Sequence, residues 1–185
     1  MKHSQVKQNI IETASSLFYR NGYNATGINE IIAQAGIAKA TLYSHFRSKE
    51  DICLSYLQFK NSTFLSDIKT FCDAQPKGKT QLLAVFDFLK LFFEEKDFNG
   101  CWCIKTVSEI PKENERVRNE IQKQKNEFIQ FLKDLIVINT THAPTKSDSL
   151  ARKIYLLYEG AVTESHLHQS EWPIEEAKEL CAKIF

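Results

Sequence analysis

Apolar residues recur at helical spacing along almost the whole chain. Val6, Ile10, Ala14, Leu17 and Phe18 form one stripe, which Ile11 widens. The stripe predicts a first helix ending near Arg20, where Asn21 and Gly22 supply a left-handed stop. Thr26 stands where a cap for the next helix belongs, and Ile28, Ile31, Ile32 and Ala35 give that helix its apolar face. Gly36 ends it. A short third helix follows from Ala38 to Phe46. Leu42 and Phe46 lie four apart and face inward, which turns Lys39, Ala40, Tyr43 and Ser44 outward. Ser48 opens a fourth helix, with Asp51 three residues on as a variant of the capping box.

The fourth helix is expected to run to about Cys72 on Ile52, Leu54, Leu57, Phe64, Leu65 and Ile68. Gln75 to Lys79, with Pro76 and Gly78, is the clearest turn in the chain. The segment from Gln81 to Phe93 is apolar on most faces and predicts a central, nearly surrounded helix. Asn99 and Gly100 break it, and a short helix from Cys101 to about Glu109 stops before Pro111. Glu113 to Ile138 is amphipathic. A polar loop from Asn139 to Ser147 precedes a helix at about Asp148–Gln169, and Pro173 suits the first turn of a last helix ending near Phe185. No strand and no solenoid repeat is indicated. The expected fold is all-α, with about nine helices. Residues 1–47 form a three-helix helix-turn-helix head, and residues 48–185 a ligand-binding and dimerisation bundle.

Charge and composition narrow the function. The net charge is only +1. Residues 1–50 nevertheless carry six Lys and Arg against three Glu, a basic head on a slightly acidic remainder. No apolar run approaches the roughly 20 residues that span a bilayer, and the first residues lack the apolar core of a signal peptide. The expectation is a cytoplasmic protein with no membrane association. Five cysteines, an odd number, then read as free thiols.

The run from Ile10 to Ile52, IIETASSLFYRNGYNATGINEIIAQAGIAKATLYSHFRSKEDI, resembles the N-terminal pattern of the TetR family of transcriptional regulators. Spacing and residue type agree over the whole run rather than at one short motif. Ile52 replaces a usual leucine. Ala38 stands where many members have serine, so the recognition helix lacks a side-chain cap worth roughly 1 kcal/mol. Further on, Gly100-Cys101-Trp102-Cys103-Ile104 with Val117-Arg118 is similar to a motif of the subgroup with AcrR-like C-terminal domains, although Lys105 replaces the usual asparagine. Leu156-Leu157-Tyr158-Glu159-Gly160-Ala161 is similar to that subgroup's dimerisation helix.

The resemblance implies double-stranded DNA as partner, read at a palindromic operator by a homodimer whose recognition helices lie about one DNA turn apart. It gives Thr41, Tyr43 and His45 as phosphate donors beside the outward Lys39, Ala40 and Ser44. Thr26 and Gly27 are expected at the opposite strand's backbone. Lys49 and the free amides of the fourth helix offer a further phosphate site. Ten of the thirteen phenylalanines fall between Ser48 and Ile138. Phe64, Phe86, Trp102 and Phe128, with Tyr155 or Tyr158 as polar contact, are the expected lining of a pocket for a small apolar or aromatic effector. Leu156, Leu157, Gly160, Ala161 and Leu167 are the expected dimer surface.

Cys101 and Cys103 supply an alternative input, a thiol sensor of oxidants or electrophiles, with Lys105 near enough in sequence to assist. One residue between two cysteines does not make a CxxC motif. His166 and His168 lie about 200° apart on a helix and cannot share a metal within one chain. No metal or cofactor is expected. Nothing marks an enzyme: there is no phosphate-cradling glycine loop, no HExxH and no GxSxG. An architectural DNA-binding protein without effector is the remaining rival.

Overall fold

The computed structural model describes residues 3–184; Lys2 of the basic head and the expected helix end at Phe185 lie outside the described residues. Among them are nine α-helices and no strand. In order these are α1 (His3–Asn21), α2 (Ile28–Ala35), α3 (Lys39–His45), α4 (Lys49–Asp73), α5 (Lys79–Glu94), α6 (Trp102–Glu109), α7 (Glu115–Asn139), α8 (Pro144–His168) and α9 (Trp172–Ile184). None is long and apolar enough to cross a membrane. The helices fall into two compact units. One comprises the residues up to Thr63 together with Trp102–Lys123, the other Phe64–Cys101 together with the residues from Gln124 on. The expected boundary at residues 47/48 falls inside the first unit.

In the first unit, Ile10, Ala14, Leu17, Phe18, Ile31, Leu42, Phe46 and Ile52 are all buried. These are the apolar positions that set the helical period. Gly22 ends α1 at φ 94° and Gly36 ends α2 at φ 65°, the left-handed values that only glycine adopts freely. At the start of α2 the structure departs from expectation. Gly27, not Thr26, is the N-cap. The Glu30 carboxylate reaches back to the Gly27 N–H at 3.4 Å. Thr26 is fully buried, and its hydroxyl donates to the Gly22 carbonyl at 2.8 Å. That bond turns the Thr26 side chain back toward the preceding turn, one residue short of the cap position. Ser48 caps α4 as expected, accepting the Asp51 N–H at 3.1 Å.

The short helix α6 belongs to this unit and grips the end of α1. The Asn24 N–H donates to the Glu109 carboxylate at 2.6 Å, and the Asn24 side-chain amide donates to the Glu109 carbonyl at 2.8 Å. Lys105 donates to the Tyr19 carbonyl at 2.8 Å. Arg116 forks onto Glu50 at 2.9 Å and Asp51 at 2.7 Å, and Asn114 donates to Glu50 at 2.9 Å, which fixes the first turn of α4.

The second unit is built on a core of α5, α8 and α9 packed on one another, with parts of α4 and α7. A buried polar chain closes one end. Asn139, the last residue of α7, accepts the Gly78 N–H at 2.6 Å and donates to Gln81 at 2.7 Å, while Gln81 donates to the Cys72 carbonyl at 3.1 Å. α8 begins four residues earlier than expected, with Pro144 in its first turn, where a missing N–H costs nothing. α5 is less enclosed than its composition suggests, since Leu91 is exposed.

Gly22 gives the sharpest test of the α1–α6 grip. A Cβ there would sit 2.4 Å from Glu109 Oε1, on a backbone at φ 94°. Gly22→Ala is expected to cost about 2 kcal/mol or more, which lowers the melting temperature by roughly 4–8 °C in a chain of this size. A thermal melt unchanged from the wild type would show that α6 does not hold this turn.

Candidate functional site

α3 separates its side chains cleanly. Leu42 and Phe46 are buried, while Lys39, Ala40, Tyr43 and Ser44 are exposed. Ala40, between longer neighbours, leaves the backbone of α3 open to close approach. Thr41 is half-buried, and the Ser44 hydroxyl donates back to the Thr41 carbonyl at 2.7 Å. His45 stacks on His3 with ring centroids 4.0 Å apart, and its Nδ1 is buried with no hydrogen-bond partner among the described residues. Burial, then the positive charges of His3 and Lys7, lower its pKa from the ordinary histidine value. It is a neutral hydrogen-bonding ring at neutral pH rather than a counter-ion.

Gly27 is exposed, with open space where a Cβ would stand, so a ligand can approach the first turn of α2. Thr26, expected beside it at the same surface, points inward instead and supports the turn from within. Lys49 lies half-buried with its ammonium 4.4 Å over the Tyr23 ring. Desolvation lowers its pKa, against the pull of Cys53 and Glu109.

In the second unit Phe64, Phe86, Phe128, Tyr155 and Tyr158 come together. Tyr158 lies 4.9 Å from Phe128, 6.1 Å from Phe86 and 6.4 Å from Phe64, and Phe128 lies 6.3 Å from Tyr155. Trp102 is not part of this group. It belongs to the first unit, where the Lys60 ammonium sits 5.7 Å over its ring and 4.4 Å over that of Tyr19. Beside the aromatic group is a charge cluster. Lys125 on α7 lies 2.6 Å from Glu159 and 3.1 Å from the Cys101 sulfur. Burial first, and then Cys101, push the Glu159 carboxyl up to about 7 in spite of the lysine. Lys105, the expected helper of Cys101, is engaged with Tyr19 instead. Cys103 is buried.

The expected dimer residues divide. Leu156 and Leu167 are 67% and 68% exposed, and Gly160 between them is also exposed. These three share one face of α8, and Trp172 and Leu180 on α9 are exposed as well. Ala161 is buried in the core of its own unit, and Leu157 packs against that core, because both turn away from this face. His166 bonds to Asn99 at 2.8 Å and His168 meets Glu164 at 3.3 Å, so the two rings serve different partners.

Two family models match the chain. One is described as bacterial regulatory proteins, tetR family, over residues 10–56, the other as tetracyclin repressor-like, C-terminal domain, over residues 78–181. The chain belongs to the TetR family. The TetR-family repressor DhaR of Mycobacterium sp. (strain GP1) is 24% identical over 185 residues, covering 95% of this chain and 90% of DhaR. The repressor NemR of Escherichia coli K12 is 22% identical over 184 residues, 95% of this chain and 92% of NemR. The match to the regulator YuxN of Bacillus subtilis is stronger but local, 38% identical over 93 residues, 48% of this chain and 31% of YuxN. The crystal structure of SCO4454, a TetR-family transcriptional regulator from Streptomyces coelicolor, has the same fold, with a TM-score of 0.87 at 23% identity over 97% of this chain and 95% of that one. The relatives are regulators of transcription, not enzymes.

Against this TetR framework, sequence reasoning missed Lys125, Glu159 and Glu109. Each acts through a partner far along the chain, and no local spacing marks it. Glu159 carries a pH signature. Its folded pKa is raised from the ordinary 4.5 to about 7. The stability it contributes is complete below the lower value and lost as pH rises through the upper one. Its neighbours that titrate or carry charge are Cys101, Lys125 and Tyr158. Between about pH 5 and about pH 8 the wild-type melting temperature should therefore fall relative to that of Glu159→Gln. Parallel melting curves for the two proteins would mean that Glu159 titrates as an ordinary carboxylate.

Proposed function

We propose that this chain is a homodimeric, sequence-specific repressor that binds a palindromic operator through α3 and is released by a small apolar or aromatic effector in its body. The observation that carries the reading is the division of α3. Leu42 and Phe46 anchor it, and Lys39, Ala40, Tyr43 and Ser44 are left on the opposite side with no structural duty toward the core. In this reading residues 1–47 form the reading head and residues 48–185 the responding body. Lys39 and Ala40 meet base edges. Tyr43, Thr41, Ser44 and His45 meet phosphates. Gly27 lets the other strand's backbone approach α2, with Thr26 holding the turn behind it, and Lys49 with the first amides of α4 holds a further phosphate.

The dimer follows from a shortage of contacts. Seven residues of α3 offer too few groups for tight, selective binding by one copy. The face of Leu156, Gly160 and Leu167, with Trp172 and Leu180, is apolar and exposed in a single chain, and Gly160 allows two such helices to come close. A second reading, in which a thiol senses oxidants or electrophiles, draws on one contact, the 3.1 Å between Cys101 and Lys125. An ammonium beside a thiol favours the reactive thiolate. That contact selects Cys101 over the buried Cys103 as the responding residue.

Footprinting of the DNA upstream of the gene tests the main reading. A protected palindrome is expected, with affinity falling steeply as salt rises. Lys49→Ala should weaken binding to every sequence and reduce the slope of log affinity against log salt by about 2, the contribution of one phosphate from each head of the dimer. Lys39→Ala should instead relax preference at one base position per half-site, by roughly 5- to 100-fold. Leu167→Glu should convert the dimer to the 21.4 kDa chain in sedimentation and abolish the footprint. No salt-sensitive, sequence-selective footprint at all would sink the reading. Loss of the footprint on treatment with N-ethylmaleimide, prevented by Cys101→Ser but not by Cys103→Ser, would favour the thiol reading over the effector.

A further inference from the structure

The core of the second unit contains polar atoms that it does not satisfy. Tyr158 Oη, Glu159 Oε2 and Ser165 Oγ are all shut off from water with no hydrogen-bond partner among the described residues, and all three stand on α8. Such groups are costly to bury, and a core made only for stability would replace them with apolar side chains. Tyr158 is 3% exposed, and the groups acting on its hydroxyl are Glu159, Lys125 and Cys101. The tyrosine hydroxyl and the Lys125–Glu159 cluster therefore form one polar corner, backed by the rings of Phe64, Phe86 and Phe128. Phe86 and Phe128 are buried behind it, whereas Phe64, Phe131 and Tyr155 are only half-buried.

The chemistry of the corner selects its occupant. Lys125 and Glu159 lie 2.6 Å apart and neutralise one another, so an ionic ligand would bring in a buried charge with no counter-charge left to meet it. A ligand that only accepts hydrogen bonds would satisfy Tyr158 and leave Glu159 Oε2 unmet. One that only donates would do the reverse. A hydroxyl does both: its proton goes to Glu159 Oε2, and its lone pair accepts from the Tyr158 hydroxyl. It also adapts if Glu159 itself holds a proton, by accepting from it. The surrounding rings favour a flat aromatic partner in offset or edge contact.

We propose that the effector is an uncharged phenol, its hydroxyl between Tyr158 and Glu159 and its ring against the half-buried Phe64 and Tyr155. The proposal rests on the reading of the second unit as an effector body and gives that body its ligand class.

Calorimetric titration of the purified full-length protein with p-cresol, toluene, 4-methylanisole and 4-methylbenzoate tests it. p-Cresol should bind at least about tenfold tighter than toluene or 4-methylanisole, since a site built for a hydroxyl rejects analogues lacking it, and the anionic 4-methylbenzoate should not bind. Tyr158→Phe removes only an unpartnered hydroxyl and should melt no lower than the wild type, yet lose about tenfold or more in p-cresol affinity. Glu159→Gln should narrow the gap between p-cresol and 4-methylanisole. Equal binding of p-cresol and toluene, no binding of p-cresol, or Tyr158→Phe binding p-cresol as the wild type does would each overturn the proposal. Gel shifts on the footprinted DNA run alongside. Intact operator binding with failed phenol binding rejects the phenol and leaves the regulator. Failed operator binding rejects the regulator whatever the calorimetry shows.

Discussion

The turn at the end of α1 has backbone groups that its own helix cannot satisfy, and α6 satisfies them. The Tyr19 carbonyl takes the Lys105 ammonium, and the Asn24 amide takes the Glu109 carboxylate. Only glycine at position 22 leaves room for that carboxylate. The same turn positions Thr26, whose hydroxyl closes onto Gly22, and hence Gly27 and the start of α2. α2 in turn presents α3 through its left-handed end at Gly36. The orientation of α3, the proposed reading helix, thus depends on a contact supplied from some eighty residues further along the chain. The Lys105 bond is partly buried, while the Asn24–Glu109 bonds lie, like the Arg116 pairs, at exposed positions, where a charged contact is worth about 1 kcal/mol or less. A head cut at residue 47 would lose all of them.

The two units differ in what their cores bury. The first places apolar residues where the helical period demands, with the His45 Nδ1 left without a hydrogen bond among the described residues. The second accepts a lysine, a carboxylate, a thiol and a phenol in or beside an aromatic core. Replacing such a cluster with leucines of similar volume is commonly neutral or stabilising. Its presence runs against local consistency, and departures of that sort gather where a protein does something besides fold. The physical chemistry of a selective pocket is the same set of departures: a few unmet polar atoms among many apolar ones.

What was legible in the sequence was local. The helix ends at Gly22, Gly36, Ser48 and Gly78 are short-range conflicts between side chain and backbone, and they fall where composition places them. The inward pair Leu42 and Phe46 needed only a spacing of four. The contacts that escaped are those in which a short-range reading was available and a long-range one won. Thr26 has the chemistry of an N-cap, but Gly27 takes that position and the Thr26 hydroxyl donates to the carbonyl of Gly22. Lys105 is two residues from Cys103 and invited pairing with the thiols, but α6 turns it toward Tyr19, and Cys101 takes Lys125 from α7. Ala161 and Leu157 read as dimer surface because they share a segment with Leu156 and Gly160. A helix divides such neighbours by 100° per residue, and that rotation puts Ala161 in the core.

The same rotation ties oligomeric state to DNA recognition. Once α8 has committed Ile154, Tyr158, Ala161, Val162 and Ser165 inward, the face of Leu156, Gly160 and Leu167 is left exposed among the described residues. Leaving two leucines and a tryptophan exposed is unfavourable for a monomer in water, and a helix pair related by a two-fold axis covers them with one self-complementary patch. On the proposed function an operator would impose an independent demand. A helix of two turns could read only a few base pairs, so selectivity against a genome would require a second copy at fixed spacing. One constraint arises from the inside of α8 and the other from the shortness of α3, and a symmetric dimer meets both.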